Sequence, residues 1–283
     1  MKRKTFMLQT LYREGQQRLK DSKIAEYQLD AWYLLEHITG ITKASYYGEP
    51  NREISAELAE DYLTCIERRS KRIPLQHITG VQAFMGHEFL VNEHVLIPRQ
   101  DTEALVEDAL DKIEDEMTVL DMCTGSGCIL LSILKRRNVQ GTGADISEEA
   151  LKVAEKNREH LKLQEVQWIQ SDLFEKVTGS FDVILSNPPY IETKVIESLQ
   201  EEVRLYDPYI ALDGKEDGLY FYGRIIESAK KYIKNGGWLI FEIGYDQAEA
   251  VTRLMEQSGY EEIYVKKDLS GLDRVAGARY NKN

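Results

Sequence analysis

A short apolar stretch, Thr118-Val119-Leu120-Asp121, runs into Gly125-Ser126-Gly127 and then into Cys128-Ile129-Leu130-Leu131-Ser132-Ile133-Leu134. Few folds admit that succession. The first piece has strand length, the glycines punctuate, and the last piece reads as a buried helix. A strand that turns directly into a helix packs that helix on its own sheet, and the next strand then lies parallel to the first. Strand-like runs recur near Val119, Gly143, Val166, Val183 and Leu239, with helical segments between them. The fold class is therefore α/β, a doubly wound and mostly parallel sheet.

The same turn carries chemistry. Glycines let a backbone approach a ligand closely, so Cys123, Thr124, Gly125, Ser126 and Gly127 suit a nucleotide-like cofactor. The next strand ends at Asp145, 24 residues after Asp121, where a carboxylate can accept both hydroxyls of a ribose. Ser147 follows as a helix N-cap, with Glu148 and Glu149 in the first turn. A third strand, Val166 to Gln170, leads to Asp172, which can accept from an adenine amino group while Leu173 packs on the ring. A dinucleotide site would want a third glycine where Leu130 stands, which argues against a pyrophosphate.

A second motif, Asn187-Pro188-Pro189-Tyr190, closes the apolar run Phe181-Asp182-Val183-Ile184-Leu185-Ser186. Asn187 offers a side-chain carbonyl and Pro188 a backbone carbonyl, both held in place by two consecutive prolines. Tyr190 adds a flat face. Such a turn can grip a planar NH₂ group, whose delocalised nitrogen is a poor nucleophile and must be oriented to react. Paired with the nucleotide turn, it implies methyl transfer from S-adenosylmethionine to an amide or aromatic amine. Asn187, lying between the two ligands, would serve both. No metal is called for.

Together with these motifs, Leu96-Ile97-Pro98-Arg99-Gln100-Asp101-Thr102-Glu103, Pro74-Leu75-Gln76-His77-Ile78-Thr79-Gly80, Glu242-Ile243-Gly244 and Gly271-Leu272-Asp273-Arg274 give the chain a resemblance over most of its length. It resembles the bacterial protein-(glutamine) methyltransferases that modify peptide chain release factors. The resemblance implies a class I methyltransferase fold, with last strands near Ile263 and Val275, one of them antiparallel. It also implies a glutamine in a Gly-Gly-Gln loop as substrate. Gln100 departs from the family's proline, and Cys123 stands where many methyltransferases have glycine, a position that a small residue fits if its backbone angles are ordinary. His77 and Asp207-Pro208 are further departures. Arg99 and Glu103 suit either the mouth of the site or a helix-capping ion pair.

Before Pro74 three amphipathic helices are readable. Their faces are Leu8, Leu11, Tyr12 and Leu19; Tyr27, Ala31, Leu34, Leu35 and Ile38; and Leu58, Tyr62, Cys65, Ile66 and Arg69. Gly40 stops the second helix and Ser55 caps the third. The expected organisation is a helical substrate-docking domain over 1–75, a hairpin linker over 76–95 turning at Gly86-His87, and a methyltransferase domain over 96–283. Cys65, Cys123 and Cys128 lack metal-ligand spacing and read as reduced thiols, which with the lack of a membrane-length apolar stretch or a signal-like segment after Met1-Lys2-Arg3-Lys4-Thr5 places the chain in the cytoplasm. Of the five histidines, His77, His87, His94 and His160 read as structural or surface residues. A monomer is expected. Residues 1–75 carry 13 basic and 11 acidic side chains, and the remainder carries a net charge of −14. A polyanion would be repelled by that half, which disfavours nucleic acid as partner. A glutamine on a ribosomal protein, an exocyclic amine of nucleic acid and a non-enzymatic cofactor-binding scaffold stay open as alternatives at this stage.

Overall fold

The computed structural model describes residues 5–282; the basic start, Met1-Lys2-Arg3-Lys4, lies outside them. Two compact units are present, residues 1–80 with Gln200–Tyr206, and residues 81–199 with 207–283.

In the first unit, helices Leu8–Asp21, Tyr27–Thr39 and Ala56–Ser70 bury Leu8, Leu11, Leu19, Ala31, Leu34, Leu35, Tyr62 and Ile66 against one another. Ser55 accepts from the Leu58 amide at 3.2 Å, and Gly40 closes the second helix at φ +66°. The helices approach closely at Gly15, where an added Cβ would stand 1.9 Å from the Tyr62 hydroxyl. Two features go beyond the sequence reading. Strands β1 (Thr5–Met7) and β2 (Glu53–Ser55) pair antiparallel, too short to show alternation. A short helix, Lys43–Gly48, is capped by Thr42. Arg69, assigned to an apolar stripe, is buried because it is paired: its guanidinium meets Asp30 at 2.7 Å and Glu202, on helix Glu201–Tyr206, at 3.1 Å. The long methylene stem lets it occupy an apolar face.

The second unit opens with a hairpin, β3 (Val81–Phe84) and β4 (His87–Leu90). Its turn is at Met85 and Gly86, both with positive φ (+50° and +77°), as a two-residue hairpin turn requires; His87 already belongs to the strand. Seven strands follow: β5 (Thr118–Met122), β6 (Gln140–Asp145), β7 (Gln167–Gln170), β8 (Phe181–Ser186), β9 (Ile233–Glu242), β10 (Glu261–Lys267) and β11 (Asp273–Tyr280). They form one sheet in the order β10-β11-β9-β8-β5-β6-β7. Pairs β5–β6, β5–β8, β6–β7 and β8–β9 are parallel, and β11 lies antiparallel between β9 and β10. The doubly wound sheet and its single reversed strand agree with expectation.

Both faces are covered, so successive residues enter opposite cores. Leu120, Ile184, Leu239 and Phe241 pack on one side with Tyr222 and Ile225; Val119, Val183, Leu185 and Ile240 pack on the other with Leu105 and Leu130. The chain steps outward from β5 in one direction through β6 and β7, and in the other through β8 and β9. The carboxyl ends of β5 and β8 therefore flank a switch point, where open α/β sheets form their ligand crevice. The Ser186 hydroxyl donates to the Met122 carbonyl at 2.7 Å, tying those two ends together.

Candidate active site

A cavity opens at that switch point, about 1010 Å³ counting its mouth, at the upper end of the range for small-molecule sites. The turn after β5 forms its floor. Cys123, Gly125 and Gly127 all have positive φ (+62°, +54° and +77°). The backbone at Cys123 is thus not ordinary, and the thiol residue holds a left-handed conformation that would suit glycine better. Gly127 is also tight, since a Cβ there would lie 3.1 Å from Leu131 and 3.2 Å from Trp168. Beneath the turn, Asp121 is fully buried. One carboxyl oxygen accepts from the Thr124 hydroxyl at 2.6 Å and the other has no partner. Burial, aided by nearby Asp145, pushes its pKa up to about 7.

Asp145, at the end of β6, accepts from the backbone N–H groups of Gly125 and Ser147, both at 2.9 Å. Burial raises its pKa, and those backbone donors oppose the rise. Each carboxylate oxygen takes one of these bonds, which leaves one lone pair on each for a further donor. Ser147 caps its helix as expected, accepting from Ala150. Asp172 and Leu173 line the same cavity, with Leu173 at φ +49°. Asp172 is paired with Arg224 at 3.0 Å, both about one-third exposed; such a surface pair contributes about 0–1 kcal/mol and is readily exchanged. Ile146 and Phe221 add apolar wall. Two free acceptor positions on Asp145, a second carboxylate at Asp172 and apolar flanks from Ile146, Leu173 and Phe221 form a set of acceptors and apolar walls that fits an adenosine.

The turn after β8 brings Asn187 and Pro189 to the cavity. Pro188 is buried, and Tyr190 does not itself line the cavity: its hydroxyl donates to Glu242 Oε1 at 3.1 Å, and its carbonyl accepts from Gln247 at 3.1 Å. Asn187 Nδ2 donates to the Thr102 hydroxyl at 3.4 Å. Glu242, at the end of β9, is buried; its second oxygen has no hydrogen-bond partner. Burial raises its pKa, opposed by the Thr102 hydroxyl and by Arg274, which is itself paired with Asp101 and Asp268 at 3.2 Å.

Arg99 lines the cavity and pairs with Asp207. Burial lifts the Asp207 carboxyl to about 6 even against that guanidinium. Glu103 forms no ion pair with Arg99 and turns to the hairpin, where it accepts from the Met85 amide at 2.6 Å. His94, read as a structural or surface residue, is exposed and also lines the cavity. Asn157, wholly buried, clamps the hairpin to the floor: its side chain bonds both the N–H and the carbonyl of Leu90 and donates to the Ser126 carbonyl. The three cysteines are free thiols, and no cluster of metal-ligating side chains occurs among the described residues.

This architecture has relatives. Residues 10–80 match a family model described as the PrmC N-terminal domain, and residues 100–203 match the Methyltransferase small domain. A release factor glutamine methyltransferase of Geobacter sulfurreducens is 38% identical over 92% of both chains. One from Thermodesulfovibrio yellowstonii is 42% identical over 87% of this chain and 90% of its own. The chain belongs to the release factor glutamine methyltransferase family. A Pyrococcus furiosus methyltransferase of known structure shares the fold at 17% identity, with a TM-score of 0.56 over 76% of this chain and all of the other.

Within this family member, the sequence reading missed Thr102, Glu242, Asp207, Arg224 and Phe221 at or beside the cavity. Two of them had a signal. Thr102 and Glu242 both stand inside motifs that carried the family resemblance, and Glu242 ends a strand next to the switch point. Among the described residues no helix is long and apolar enough to cross a membrane.

Proposed function

We propose that this chain transfers the methyl group of S-adenosylmethionine to the side-chain amide nitrogen of the glutamine in the Gly-Gly-Gln loop of peptide chain release factors. One observation carries the reading: Asn187, with its carbonyl oxygen uncommitted, shares a cavity with the two lone pairs of Asp145. Family membership supports the reaction and the partner.

The cofactor, when bound, supplies an electrophilic methyl on a sulfonium. Asp145 accepts the ribose hydroxyls, Asp172 takes the adenine amino group in exchange for Arg224, and Leu173 covers the ring. Cys123 to Gly127 form the floor. Asn187 Oδ1 and the Pro188 carbonyl accept from the two N–H groups of the glutamine amide, which fixes the nitrogen and stabilises the positive charge that develops on it. Pro189 stiffens that turn. Tyr190 acts from behind it, through Glu242, and its ring supports the turn more than it faces substrate. The acidic surface of residues 76–283 suits a protein loop better than a polyanion, and the helical unit docks the factor.

The test is mass spectrometry of intact release factors after incubation with the enzyme and labelled S-adenosylmethionine. A single methyl on the Gly-Gly-Gln glutamine is expected, with none when glutamate replaces it. Labelling confined to nucleic acid would overturn the reading. Labelling confined to a ribosomal protein would overturn the partner and keep the chemistry.

A further inference from the structure

The amide of Asn187 can face the cavity with either end. Its oxygen would accept from a substrate NH₂, whereas its nitrogen would repel one. Something must choose. Asn187 Nδ2 donates to the Thr102 hydroxyl at 3.4 Å, while Oδ1 has no partner among the described residues. Thr102 is buried on the 3₁₀ turn Gln100–Thr102 and is itself part of the cavity wall. A hydroxyl that accepts from Asn187 still has one proton to place. Behind it stands Glu242, buried, with Oε1 already taking the Tyr190 hydroxyl at 3.1 Å and Oε2 unpartnered.

We infer that Thr102, backed by Glu242, is a positioning residue that holds the Asn187 amide with its carbonyl oxygen toward the substrate. The inference rests on the methyl-transfer reading above and names the groups that make Asn187 competent for it. Burial disfavours the charged form of Glu242, whereas the Thr102 hydroxyl and Arg274 favour it; once ionised, the carboxylate can only accept and so draws the Thr102 proton. Thr102 can then only accept from Asn187, and Asn187 must present Nδ2 to it. Arg274, held by Asp101 and Asp268, supports the ionised form of Glu242 from the strand side, and the Tyr190 hydroxyl donates to the same carboxylate. A neutral group in place of Glu242 would remove this direction: it could donate to Thr102, which could then donate to Asn187 Oδ1 and turn the NH₂ end to the cavity.

The test is a double-mutant cycle on the full chain, with a release factor and S-adenosylmethionine as substrates. Thr102→Val keeps the shape and removes the hydroxyl. It should lower kcat about tenfold, with cofactor affinity by calorimetry and melting temperature close to wild type. Thr102→Ser should recover most of that loss. In an Asn187→Ala background Thr102→Val should cost nothing more, because its effect runs through Asn187. Glu242→Gln, which can donate where glutamate cannot, should lower kcat at least as much as Thr102→Val. Either a kcat for Thr102→Val within twofold of wild type or a full additional loss in the Asn187→Ala background would overturn the positioning role. A wild-type chain that modifies no release factor would instead overturn the methyl-transfer reading, and this inference with it.

Discussion

On one wall of the cavity, Asp145 is held by backbone N–H groups of its own turn and of the turn after β5. On the other wall, Asn187 leans on Thr102, Tyr190 on Glu242, and Arg99 on Asp207, side chain upon side chain. A backbone-held group depends on the path of the chain, which many sequences can supply. A side-chain-held group depends on one atom of one partner, often from a remote segment. The first wall should therefore tolerate change around it, whereas the second should fail when any member is lost.

Asn187→Ala gives the sharpest contrast. It removes an acceptor aimed at a developing charge, so kcat should fall about 10²–10³-fold. A turnover within a few-fold of wild type, measured at saturating release factor, would break the comparison. Asp145→Ala should act on binding: charge-assisted hydrogen bonds contribute about 1.5–3 kcal/mol, so calorimetry should show cofactor affinity lower by roughly 10- to 150-fold. The Gly125 and Ser147 amides can turn to water, and the fold should survive.

Asp121 tests the floor itself. Its folded pKa of about 7 lies above that of a free carboxyl near 4. The folded state thus holds the proton more tightly, and this residue's contribution to stability declines as pH rises from about 4 to about 7. Asp121→Asn, which mimics the protonated form, should raise the melting temperature at pH 8 and leave it nearly unchanged at pH 4. An equal effect at both would show that the carboxyl is not the source. The smallest effect is expected at Cys123. Glycine there relieves a left-handed strain of about 1–2 kcal/mol and loses about 0.5–1 in chain entropy, for a net gain of about 0–1.5 kcal/mol by urea unfolding. A loss of stability would mean that the buried thiol's packing outweighs its backbone strain.

The same contrast explains what could be read without coordinates. Ser55 and Ser147 caps, the Gly40 stop and the helix Cys128–Leu134 are local, fixed by neighbours a few residues away. The succession of strands followed from apolar runs, although β7 starts at Gln167, one residue late, and the hairpin turn sits one residue early. The backbone angle at Cys123 left no trace in residue type. Thr102, Glu242 and Asp207 were named in motifs or departures but given no task, because their partners lie 85, 52 and 108 residues away along the chain. Arg69 was hidden by its own stem, which mimics an apolar residue until Asp30 and Glu202 appear beside its head.

The helix Glu201–Tyr206 has a consequence for how the chain comes into being. It completes the first unit, supplying Glu202 to Arg69 and Arg72 and the Tyr206 hydroxyl to the Lys71 carbonyl. Yet Glu202 is synthesised 130 residues after Arg72. At about 5–20 residues per second, the ribosome delivers it roughly 6–26 s later. Through that interval Asp30 is the one carboxylate paired with Arg69, and Arg72 lacks Glu202. The apolar core of the N-terminal helices contains no residue of Glu201–Tyr206, so it can pack early, whereas the polar contacts to Glu202 and Tyr206 close only once β5, β6, β7 and β8 have been made.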